Sequence, residues 1–187
     1  MAYVYGTDEW EKAYLAEVER RKTTESKPYI VATPEWTAEF ESLVQQDGDY
    51  REFAKEWEGS VALQINAEPE AGLDEDIYIL MDLWHGDCRS IRIVPRAAAE
   101  KADYQITGDY AKWKSVLAKE LDVVKAIMQG KLRLRGDLPT IVRNVKAATR
   151  LVDLAGMVEG RFPDEMPPEE KESFRAWVNE MRKQFGV

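Results

Sequence analysis

One histidine and one cysteine stand in a chain of 187 residues, and no apolar run approaches the roughly 18 residues that a membrane span needs. A single thiol, Cys88, cannot close an internal disulfide, so nothing ties the fold to an oxidising compartment. A structural zinc site takes four N, S or O ligands and a catalytic one three, yet His and Cys together supply two. With 11 Gly and 8 Pro, the chain has too little of either for a collagen-like or low-complexity sequence. Gly-rich phosphate loops and the G-x-S-x-G nucleophile elbow are both missing. Asp8, Glu9 and Glu11 fall where a signal peptide carries its apolar core. The C-terminal Gln184-Phe185-Gly186-Val187 lacks a peroxisomal address. These absences lead to the expectation of a soluble cytoplasmic protein without metal or cofactor.

What is present is a globular composition: 44% apolar and 33% charged residues, with six Trp. The net charge of −9 is unevenly placed. Residues 1–60 hold 14 acids against 7 bases, whereas residues 101–160 hold 7 acids against 11 bases. An acidic chain is a poor ligand for nucleic acid, whose binding rests on phosphate neutralisation. The basic block is still able to form a local anion-attracting face.

Periodicity places the elements. Trp10, Tyr14 and Val18 repeat at helical spacing over residues 8–22. Thr33 followed by Pro34 starts a second helix, with Trp36, Phe40, Leu43 and Val44 as its stripe. From Trp57 the period becomes two. Val61, Leu63 and Ile65 alternate with smaller or polar residues, Ile77 to Trp84 reads as an interior strand, and Ser90 to Val94 follows a His85-Gly86-Asp87 turn. Tyr104 to Thr107 is a fourth strand. Two helices, bearing Trp113 and Val123, lead to a fifth strand over Lys131 to Arg135. The longest helix is expected from about Pro139 to Gly156, and a last amphipathic helix carries Phe174, Trp177, Val178, Met181 and Phe185.

The chemistry available is sparse. His85 lies three residues before Cys88, but adjacency in sequence is not what a thiol–imidazole pair requires. Asp74-Glu75-Asp76 lacks the spacing of a calcium loop and reads as a solvated turn. The inventory favours binding over catalysis, and no catalytic residue is assigned.

Two motifs then stand out within the order β-β-β-β-α-α-β-α. One is Lys101-Ala102-Asp103-Tyr104-Gln105-Ile106-Thr107. The other is the helix end and basic/apolar strand from Ile127 through Gly130 to Gly136-Asp137. With Asp82-Leu83-Trp84-His85-Gly86, they resemble the sterol carrier protein, or non-specific lipid-transfer, family over roughly residues 50–157. The resemblance implies an α+β fold: a five-stranded, mostly antiparallel sheet with helices packed on one face and an apolar cavity between. Residues 1–49 become an N-terminal helical extension packed on the core, and residues 158–187 a C-terminal linker and amphipathic helix. The implied function is non-catalytic binding or transfer of a fatty acid, fatty acyl-CoA or sterol-like lipid.

On that basis the expected cavity residues are Leu63, Ile65, Ile79, Met81, Ile106 and Leu134 from strands. Val116, Leu117, Ile127, Met128, Ile141 and Val145 join them from helices. Arg133, Arg135 and Arg143 are the head-group candidates. Transient membrane contact is the most that the chain would make with a bilayer. The terminal apolar stripes have three open fates: completing the core, forming a homodimer, or acting as a lid or docking element. An accessory subunit with the same fold and a filled core is the alternative function, and an enzyme using His85 is a third.

Overall fold

The computed structural model describes residues 2–187. Helix α1 (Asp8–Thr24) begins where the Thr7 hydroxyl accepts the Trp10 amide, and it buries Trp10, Tyr14, Val18 and Arg21. After β1 (Tyr29–Ile30) comes α2 (Pro34–Gln46). Thr33 holds the N-cap position, but its hydroxyl donates to the Ile30 carbonyl at 2.7 Å instead of capping the helix. Asp47 caps α3 (Gly48–Phe53) through the Tyr50 amide. Strands β2 (Glu58–Ile65), β3 (Ile77–Trp84) and β4 (Asp87–Ile93) follow, then α4 (Arg96–Ala99) and β5 (Tyr104–Gly108). Helices α5 (Tyr110–Leu117) and α6 (Val123–Met128) lead to β6 (Arg133–Arg135). The chain closes with α7 (Leu138–Arg143), α8 (Val145–Met157), β7 (Gly160–Arg161) and α9 (Pro168–Phe185).

The main sheet has the order β4-β3-β2-β5-β6. All its pairs are antiparallel except β2 with β5, which run parallel, so the sheet is mixed but mostly antiparallel. Val61, Leu63, Ile65, Ile79, Met81 and Ile106 share the face covered by helices α5 to α8. The other face is polar apart from a small cluster in which Ala62, Tyr78 and Val94 meet Ala99 of α4. Gly86 is required at the β3–β4 turn: its φ is +83°, and a Cβ would sit 2.4 Å from the Arg51 carbonyl oxygen.

Three expectations need correcting. The helix foreseen over Pro139–Gly156 is broken at Asn144, whose side-chain amide donates to the Thr140 carbonyl and competes with the backbone ladder. It is not the longest either, since α1 has 17 residues and α9 has 18. The fifth strand begins at Arg133 and not Lys131, because the Lys131 and Leu132 amides bond the Ala126 carbonyl at the end of α6. Periodicity also gives no sign of α4 or of the two-residue parallel pair β1–β7, all too short to carry a repeat.

The terminal helices bury their stripes against their own chain. Trp10 stacks on Tyr14, and its indole N–H donates to the Phe185 carbonyl at 3.1 Å. Along β4, an edge strand, the Ile91 and Ile93 amides are taken up by Glu41 of α2 and by the Tyr14 hydroxyl, at 2.7 and 3.0 Å. Covering these donors removes a template for pairing with another chain. At the junction of α1, α2 and α9, Arg21 grips Glu35 bidentately at 2.7 and 2.8 Å, and its guanidinium lies 3.9 Å from the Trp177 ring centre.

Candidate functional site: an apolar cavity

Between the sheet and helices α5 to α8 lies a cavity of about 150 Å³. Its floor is Val61, Leu63 and Ile65 of β2, Ile79 and Met81 of β3, and Ile106 of β5, the residues that period-two alternation sends to one face. Its walls are Val116 and Leu117 of α5, Ile127 of α6, Ile141 of α7, and Ala147, Ala148 and Leu151 of α8. Trp36 and Phe40 of α2 and Phe162 and Pro163, just after β7, line it as well. Ala147, Ala148 and Ala155 on α8 are what leave the space: their short side chains keep the helix from filling it.

Nine of the twelve residues expected from sequence line this space, and three do not. Met128, at the last turn of α6, is 62% exposed. Val145, the first residue of α8, is 39% exposed, and Ala147 and Ala148 line the space from that helix instead. Leu134 pairs with Ile106 on the cavity face, but β6 is the edge strand and lies beyond the lining. The arginines are also elsewhere. Arg133 and Arg135 pair with Thr107 and Gln105, so alternation puts them on the opposite face of the sheet. Arg135 there donates to the Gln105 side chain and the Ala102 carbonyl. Arg143 is exposed on α7 and bonds the Thr140 hydroxyl.

The cation that the cavity does have was not foreseen. Lys114 lines it from α5 and is held by Asp164 at 2.8 Å and Glu165 at 2.9 Å. Burial lowers its pKa, but the two carboxylates outweigh that and leave it raised. The Tyr110 hydroxyl donates to Asp164 as well, so this short turn is latched onto α5 beside the cavity. Trp36, Phe40 and Tyr50 also join the lining unforeseen. Their apolar stripes are visible in the sequence, but the cavity they point to depends on tertiary packing.

The His85–Cys88 pair does not come together as a catalytic unit. His85 sits on an exposed turn with both ring nitrogens engaged, one by the Lys55 carbonyl and one by Glu58. Cys88 faces the core, where burial pushes its thiol up to about 12. Among the described residues no group of three His, Cys, Asp or Glu side chains is placed to hold a metal ion.

The model of the SCP-2 sterol transfer family matches residues 40–148. The chain belongs to this family. The match takes in the end of α2, before the start at residue 50 read from motifs. Among solved structures, the crystal structure of sterol carrier protein 2 is 34% identical, with a TM-score of 0.64. That alignment covers 68% of this chain and 98% of the other. The solution structure of a conserved hypothetical protein from Thermus thermophilus, possibly a sterol carrier protein, is 33% identical, with a TM-score of 0.65. It is matched over 73% of this chain and 94% of that one. No curated protein matches the chain in sequence. Sterol carrier proteins share the α+β sheet-and-helix arrangement seen here, and the family has a general role in lipid binding and transfer. Among the described residues no helix is long and apolar enough to cross a membrane.

Proposed function

We propose that this sterol carrier family member binds a hydrophobic molecule in the cavity between sheet and helices and transfers it in the cytoplasm without chemical change. The observation carrying this reading is the cavity itself: about 150 Å³, floored and walled by apolar side chains. A void of that size resembles the engineered apolar cavities that stay dry and take up benzene. At about 30 Å³ per group it accepts roughly five methylenes. Burying them gains about 0.8 kcal/mol each, or about 4 kcal/mol, which corresponds to millimolar binding. Micromolar binding calls for about ten methylenes, so a tighter ligand has to widen the space. The place to yield is the α5–α8 wall, where α7 and α8 are already separated at Asn144.

Transfer also needs contact with a donor surface. Leu138, Val142 and Val145 leave an exposed apolar stripe beside Arg143 and Lys146, which supports transient contact with an anionic lipid surface. The competing reading, an accessory subunit with a filled core, draws support from a volume below the ~300 Å³ at which small-molecule pockets begin.

Native mass spectrometry of protein purified without detergent, followed by solvent extraction, tests the carrier reading. The expected result is a lipid adduct. Absence of any adduct, together with no binding of either octan-1-ol or octanoate by calorimetry, would refute it.

A further inference from the structure

One stretch of the cavity lining comes from outside the part of the chain that matches the family. Phe162 and Pro163 line the space, yet the match ends at residue 148. They open the short turn Phe162–Met166, whose backbone bonds close on itself. The Glu165 amide donates to the Phe162 carbonyl at 3.1 Å, and the Met166 amide to the Pro163 carbonyl at 3.2 Å. Both ends of the turn are pinned. Before it, the Val31 amide donates to the Arg161 carbonyl at 3.0 Å; after it, Met166 is buried ahead of α9.

Side chains of α5 hold the turn in place. Lys114 reaches Asp164 at 2.8 Å and Glu165 at 2.9 Å, and the Tyr110 hydroxyl donates to Asp164. Burial and the Asp164 carboxylate push the Tyr110 pKa up, so its hydroxyl keeps the proton it donates. The Phe162 ring meets Tyr110 edge-on at 6.3 Å between centres, and the Lys114 Nζ lies 4.9 Å from it. Elsewhere the wall is built differently. Val116, Ile127 and Ile141 are buried on helices, so displacing them breaks a backbone ladder and unpacks the core. Displacing the turn breaks one hydroxyl bond and two ion pairs whose side chains are between 31% and 53% exposed. Such solvated pairs are individually weak.

Resting on the cavity reading above, we infer that this turn is a gate: a hydrophobic molecule enters and leaves as Phe162 and Pro163 lift away from α5, and the latch of Tyr110 and Lys114 on Asp164 and Glu165 sets how often they do. Among the described residues Asp164 and Glu165 are not part of the lining, so the carboxylates act on the gate and not on its occupant. They hold it shut equally over an empty and a filled cavity. The latch therefore governs rates without governing affinity.

Stopped-flow quenching of tryptophan by ω-bromo-octan-1-ol tests this, because Trp36, Trp57 and Trp113 line the cavity. Asp164→Asn/Glu165→Gln should raise the association and dissociation rates together, each about tenfold, and move the affinity by less than about twofold. Tyr110→Phe should do the same by about threefold. Raising KCl from about 0.05 M to about 0.5 M screens the ion pairs, so it should speed entry into the parent about threefold and leave the double variant unchanged. Rates that stay at the parent value in the double variant place the entrance elsewhere and overturn the inference. Faster dissociation alone, with a matching loss of affinity, also overturns it, since the turn would then be only a piece of wall. If the probe quenches no tryptophan in the parent, it is the carrier reading that falls.

Discussion

Whether the space between sheet and helices is open in solution can be decided by the sign of one stability change. Ala147 lines the cavity from α8 and is 5% exposed. Ala147→Leu adds three carbon atoms, roughly 90 Å³ at about 30 Å³ each, inside a cavity of about 150 Å³. Leaving apolar volume empty costs about 24 cal/mol per Å³, so filling about 90 Å³ should stabilise the protein by about 2 kcal/mol at best. If the core were already filled, the same substitution would force side chains off their rotamers and cost about 1–3 kcal/mol. The two outcomes differ in sign. Urea unfolding followed by tryptophan fluorescence and circular dichroism reads the difference as a midpoint shift at constant slope. Octan-1-ol binding to the same variant should be lost, because the added side chain takes the place of the ligand. A variant less stable than the parent refutes the reasoning, and if the parent itself fails to bind octan-1-ol the accessory-subunit reading is favoured.

Other parts of the structure give further expectations. Arg21→Met leaves the Glu35 carboxylate buried at 0% exposure without its partner and should cost about 3–5 kcal/mol in urea unfolding, whereas Arg21→Met/Glu35→Leu should recover most of that loss. Acid should destabilise the fold in a defined window. The hydrogen bonds from Arg150 hold Asp47 below the ordinary 3.8, and at Asp164 the bonds from Lys114 and Tyr110 overcome the upward push of burial. Because these folded-state values are depressed, their stabilisation is full above about pH 4 and lost as pH falls through the folded values. A urea midpoint that is flat between about pH 4 and about pH 2.5 would contradict this. Cys88, its thiol pushed up to about 12 by burial, should react with Ellman's reagent at about pH 8 roughly a thousandfold more slowly in the native protein than in urea. A difference under about tenfold would mean that this part of the core opens readily.

What can be read from the sequence is whatever has a period. The alternation of Val61, Leu63 and Ile65 and the Trp36–Phe40 stripe locate a strand and a helix, because a one-sided environment imposes a repeat of two or of 3.6 residues. The same rule explains the error over Arg133 and Arg135. Their alternation with Leu134 is plain in the sequence, but the strand face turned to the cavity is the apolar one, not the basic one. Arg21, Glu35 and Lys114 are not legible, since pairing between residues 14 or 50 positions apart leaves no local trace. The cavity is not legible either. Ala147 and Ala148 look like ordinary helix formers until the opposing sheet face is in place.

Helices α1 and α9 lie outside residues 40–148, the part matched by the family model, yet both are part of the packing. If α9 were a detachable docking element, deleting residues 164–187 would leave the remaining fold intact. The packing argues otherwise. The deletion removes Phe174, Val178, Met181 and Phe185, all buried, and uncovers Trp10, whose indole bonds the Phe185 carbonyl. At about 1.5–3 kcal/mol for each buried side chain, the four together are worth about 6–12 kcal/mol. That is comparable to the whole stability of an ordinary domain, about 5–15 kcal/mol. The loss also breaks the bonds from Arg175 to the Pro69 carbonyl and from Arg182 to the Asp76 carbonyl, which hold the acidic loop before β3. It further takes away Asp164 and Glu165, the carboxylates that hold Lys114 beside the cavity. The truncated chain is therefore expected to lose its cooperative urea transition, and a sharp transition with native-like circular dichroism would show that α9 is docked on a self-sufficient core.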